Sequence, residues 1–73
     1  MNIYKVYTKE KGLIDTNDYN DFVGLTLHRL DGPAYIEYDM NGNIIRTEYW
    51  IKDIEYTKDQ YEKELLKLKV QSL

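Results

Sequence analysis

The chain has 73 residues, with 10 Lys and Arg against 13 Asp and Glu, a formal net charge of −3. That length holds one small domain and excludes doubly wound nucleotide folds, kinases and (β/α) barrels. The absence of cysteine excludes disulfide frameworks, thiolate zinc sites, iron–sulfur clusters and thiol nucleophiles.

No apolar run approaches the roughly 18 residues of a membrane helix. The first residues, Met1-Asn2-Ile3-Tyr4-Lys5, carry no apolar signal core, so a cytoplasmic protein is expected. The mild acidity argues against direct nucleic-acid binding, which needs a basic face to displace counterions. Eight Tyr, one Trp and one Phe bring the aromatic share to 14%, more than so small a core can hide. Tyr has an apolar ring and a polar tip, which suits half-buried sheet faces and binding surfaces alike.

In chain order, residues 2–8 are rich in β-branched and aromatic side chains and predict a strand. Residues 9–12 read as a turn, and Leu13 and Ile14 as a short returning strand. Residues 15–21 are polar and read as a loop with at most one helical turn before Phe22 and Val23. Residues 25–30 alternate weakly and predict a further strand.

Asn41-Gly42 is a strong hairpin signal and predicts a type I′ turn with positive φ at both residues. That register sets Tyr38 opposite Ile45, Ile36 opposite Thr47 and Glu37 opposite Arg46. The last pair places opposite charges directly across the ladder. A second turn at Lys52-Asp53 sets Ile54 opposite Ile51 and Tyr56 opposite Tyr49. Strands are therefore expected over 33–39, 43–51 and 54–56.

Thr57 and Gln60 form a capping box for a helix over 58–70, whose stripe of Tyr61, Leu65 and Leu68 needs a surface to cover. The predicted fold is α+β: a small antiparallel β-meander packed against one C-terminal α-helix. Residues 1–73 form one domain: N-terminal strands and loop (1–32), meander (33–56) and helix (57–71).

The stretch His28-Arg29-Leu30-Asp31-Gly32-Pro33-Ala34, followed by Tyr35-Ile36-Glu37-Tyr38, Asn41-Gly42 and Tyr49-Trp50-Ile51, resembles small phage and bacterial proteins built on an HRxDGPA unit. These are similar to MORN-repeat variants. The resemblance spans about residues 27–66, with one copy of the unit and Lys52-Asp53 in place of a second Asn-Gly. It implies a fold and a phage origin rather than a chemistry.

Three groups of residues merit weighing as sites. His28, Arg29 and Asp31 form a polar trio able to hold a small anion. Against that, Asp31-Gly32-Pro33 is a turn sequence in which Arg29 can bridge to Asp31. The acidic residues Asp15, Asp18 and Asp21 fail the calcium-loop pattern, so no metal and no cofactor are expected. Trp50, Tyr35, Glu37, Arg46 and Glu48 fall on one sheet face, the composition of a protein-binding hot spot. Either that face is open, or the N-terminal strands cover it.

No set of nucleophile, base and orienting group is present, so an enzyme is not expected. The favoured reading is a phage-type binding module that inhibits a host defence protein by masking a surface. The alternative is a nucleotide-sequestering oligomer. A core this small also favours a homodimer.

Overall fold

The computed structural model describes residues 2–71. It contains a five-stranded antiparallel sheet and one C-terminal helix packed against it. The strands are β1 (Ile3–Thr8), β2 (Gly12–Thr16), β3 (Tyr35–Tyr38), β4 (Ile44–Ile51) and β5 (Ile54–Tyr56), and the helix is α1 (Lys58–Gln71). The spatial order is β2-β1-β3-β4-β5, so the first strand is a central one.

The hairpin register holds at Ile36 opposite Thr47 and Glu37 opposite Arg46, then shifts, so that Tyr38 faces Ile44 rather than Ile45. The expected type I′ turn is absent. Only Gly42 has positive φ, +84°, and its N–H donates to the Asp39 carbonyl at 3.1 Å. The Asp39 carboxylate also accepts from the N–H groups of Asn41 (2.9 Å) and Asn43 (3.0 Å). That side-chain cap closes a longer turn and displaces the register by one residue.

The left-handed pair appears instead at Lys52 (φ +49°) and Asp53 (φ +67°), where no glycine relieves it. Ile51 faces Ile54 and Tyr49 faces Tyr56 across this turn, as the spacing predicts. Tertiary hydrogen bonds hold it. The Lys52 N–H donates to His28 Nδ1 (3.0 Å) and the Asp53 N–H to the Leu27 carbonyl (2.9 Å), while Asp53 Oδ1 accepts from Leu27 N–H (3.2 Å).

Residues 25–30 do not form the expected regular strand. β3 is short, and residues 26–29 fill the slot it leaves between β1 and β4. His28 N–H donates to the Tyr7 carbonyl and Arg29 N–H to the Trp50 carbonyl, with one bridge between Thr8 and Leu27. Residues 30–33 then loop out, and Ala34 rejoins the ladder with its N–H on the Glu48 carbonyl.

This loop holds α1 to the sheet. The Tyr61 hydroxyl reaches the carbonyls of Arg29 (2.5 Å) and Gly32 (2.9 Å) and accepts from Gly32 N–H (3.3 Å). Its ring packs on Tyr49, centroids 4.7 Å apart. The capping box forms as predicted, with Gln60 N–H on Thr57 Oγ1 (3.2 Å) and Thr57 N–H on Gln60 Oε1 (3.1 Å).

The helix reaches only one end of the predicted apolar face, and Ile45 stays 51% exposed. The main core lies on the opposite face, where Val6, Phe22 and Tyr35 are buried with Tyr4, Ile14, Leu25, Leu27 and Trp50 packed around them. A segment that reads as polar supplies its roof, because Phe22, Leu25 and Leu27 follow the acidic run closely enough to fold back over the sheet.

Two stability predictions follow from these contacts. Tyr61→Phe keeps the ring packing and strands the loop's peptide groups, so urea denaturation is expected to show a loss of about 1–2 kcal/mol. Lys52→Asn fits the left-handed pair better and is expected to raise stability by about 0.5 kcal/mol in the same assay.

Candidate functional site

On the roofed face, β3 and β4 project Tyr35, Arg46, Glu48 and Trp50 towards the segment around Phe22. Alternation along the two paired strands puts these side chains on one side. Between sheet and roof lies a cleft of about 460 Å³, lined by these four residues together with Tyr19, Phe22 and Val23 among others. Four of the five residues predicted for partner binding thus converge. The face is covered in part, not open, and the cover is the loop after β2.

The aromatic walls form a connected set. Phe22 stands 5.0 Å from Tyr19, 5.5 Å from Tyr4 and 6.1 Å from Tyr35 between ring centroids. The 3-10 turn Tyr19–Asp21 aims this set, with Asp18 as its cap accepting Asn20 N–H at 2.9 Å. Glu10 pins the end of the roof by accepting the N–H (2.9 Å) and hydroxyl (2.7 Å) of Thr26. Those bonds hold the Glu10 carboxyl below its usual range.

Two of the charges at the cleft, Arg46 and Glu48, are matched to each other, and Asp53 lines its edge. Glu48 accepts from Trp50 Nε1 at 3.0 Å and pairs with Arg46 Nε at 2.6 Å. That pairing raises the Arg46 guanidinium above its ordinary value. Glu37, the fifth predicted residue, is absent from the cleft wall. It accepts from the Tyr35 hydroxyl (2.8 Å) and from Asn2 Nδ2. Burial first, and then this bond to Glu37, push the Tyr35 phenol well upward, so it stays a neutral donor.

The cleft therefore presents aromatic rings, the Arg46–Glu48 ion pair and an apolar rim. Tyr19 and Val23 are more than half exposed at that rim. Sequence reading passed over both because they sit in or beside an acidic run. The available signal was the spacing of Tyr19 and Phe22, three apart, after an Asp that can cap a turn.

The trio His28, Arg29 and Asp31 has intramolecular partners. Arg29 Nε bonds Asp31 Oδ1 at 2.8 Å, its terminal nitrogen donates to the Pro33 carbonyl at 3.0 Å, and its guanidinium lies 3.8 Å from the Tyr7 ring centroid. A Cβ on Gly32 would stand 3.0 Å from that guanidinium carbon, so glycine leaves room for it. Ala34 is fully buried. Arg29, Asp31, Gly32 and Pro33 thus close the loop, and His28 caps the neighbouring turn.

The acidic residues beside the 3-10 turn are likewise engaged, with Asp21 accepting from the Thr16 hydroxyl. Among the described residues no group of three or more His, Asp or Glu is placed to hold a metal ion. Nor is any described helix long and apolar enough to cross a membrane. No protein-family model, no curated protein and no solved structure matches this chain.

His28 yields a pH prediction. Its Nδ1 must be unprotonated to accept the Lys52 N–H. Partial burial, then Lys9 and Lys52 nearby, hold its pKa below the ordinary 6.5. The unfolded chain therefore takes up the proton first. This contribution to stability is intact above about pH 6.5 and is lost as pH falls through the lower folded value. Urea midpoints are expected to drop on acidification in that window, and His28→Gln, which keeps an acceptor without a titration, is expected to flatten the change.

Proposed function

We propose that this protein is a non-enzymatic binding module of phage type, acting in the host cytoplasm, that docks on a host protein and masks its surface. A component of a defence system is the favoured target. The phage assignment rests on the HRLDGPA segment and its sequence context.

The observation that carries the binding reading is the cleft beside Trp50, with exposed Tyr19 and Val23 at its mouth. A half-buried indole whose N–H is already satisfied presents a rigid apolar wall that costs little conformational entropy to use. Arg46, exposed and yet paired, adds a charged edge beside the apolar one formed by Tyr19 and Val23.

The alternative, nucleotide sequestration, draws less support. The arginine it would use, Arg29, is already shared among Asp31, the Pro33 carbonyl and the Tyr7 ring.

The test is affinity capture from lysate of a host bacterium, followed by titration of the captured protein against variants. Val23→Glu and Tyr19→Ala, both at exposed positions, are expected to weaken binding about tenfold or more. Val70→Glu, at the far end of α1, is expected to leave it unchanged. Equal binding by the cleft variants and the wild type would remove the cleft from the interface.

A further inference from the structure

Helix α1 has 14 residues, and Tyr61 in its first two turns is its one buried side chain among those described. Leu66 is 62% exposed, and Leu30, on the loop beside the helix, is 47% exposed. A helix of this length is marginal unless its apolar face is packed. The molecule is correspondingly drawn out. Its radius of gyration is 13.0 Å, against about 11 Å for a compact chain of this length. It exposes 5206 Å², against about 4,800 Å² for a compact monomer of its mass.

Beside Leu30 and Asp31 runs a groove of about 750 Å³ whose helical wall includes Glu62, Leu65, Leu66 and Lys69. The spacing i, i+3, i+4, i+7 places these four on one helix face. Its ends carry opposite charges and its middle is leucine. An antiparallel copy related by a two-fold axis midway between Leu65 and Leu66 sets Glu62 against the second copy's Lys69, and Lys69 against its Glu62. Leu65 and Leu66 then meet their counterparts at the centre. Such a face complements itself, as a two-fold interface requires. The acidic residues at the groove, Glu62 and Asp31, disfavour an anionic membrane as its occupant.

We propose that the protein forms a two-fold dimer through α1, with this face of one copy laid antiparallel on the same face of the other. The surface is separate from the Trp50 cleft, so the pairing does not depend on what the cleft binds.

Light scattering or sedimentation equilibrium up to about 1 mM chain is the test. The expected mass is twice the 8.8 kDa of one chain. Glu62→Lys and Lys69→Glu, each alone, place like charges together and are expected to weaken dimerisation tenfold or more. The double variant restores the pairing and should recover the wild-type constant. Circular dichroism checks that every variant folds. A monomer throughout the range overturns the proposal. So does a dimer indifferent to either single reversal, and so does a double variant no tighter than the singles.

Discussion

The Tyr61 hydroxyl, set among the peptide groups of residues 29–32, is the contact on which the rest of the architecture depends. Where residues 30–33 leave the sheet, their peptide groups lose ladder partners. Tyr61 meets several of these groups from the helix side. Arg29 meets Asp31 and the Pro33 carbonyl from within the loop. A buried polar group without a partner costs more than a hydrogen bond gains, so the loop and the helix hold one another in place.

That joint has effects on both sides. It settles Arg29 over Tyr7, within reach of Gly32, so a side chain at position 32 would press on the guanidinium and strain a backbone with φ +154°. It also fixes His28 one residue earlier, where the ring caps the Lys52–Asp53 turn. A left-handed turn made of lysine and aspartate is unfavourable on local grounds. Here it persists because three hydrogen bonds from residues 27 and 28 determine it. The polar trio that looks like a ligand site in sequence thus takes part in the fold's central splice.

The two sheet faces have different roles. One carries the core and, at its margin, the aromatic cleft. The other carries the helix at one end and leaves Ile45 exposed at the other. Glu48 satisfies the indole N–H and the Arg46 guanidinium together, and Asp53 adds a second carboxylate to the cleft lining. The rings of Tyr19, Phe22 and Tyr35 pack on one another there, which lowers the side-chain entropy that the proposed docking would cost.

Sequence by itself determined what depends on neighbours along the chain or directly across one ladder. The Thr57–Gln60 box places the helix start, because both bonds close within four residues. The Glu37–Arg46 and Ile51–Ile54 pairs follow from alternation and turn spacing. The shared face of Tyr35 and Trp50 follows from the same period of two. Tertiary structure decided everything that joins distant segments: the roof of residues 19–27, the filling of β3's slot by residues 26–29, and the loop pinned by Tyr61. It also stabilised the left-handed turn at Lys52-Asp53 through a remote histidine, whereas the Asp39 carboxylate that displaced a tight turn at Asn41-Gly42 is a local cap, bonded two and four residues along. The physical reason is common to all four. Each depends on which N–H or carbonyl finds a partner far along the chain, and local propensity carries no information about that pairing.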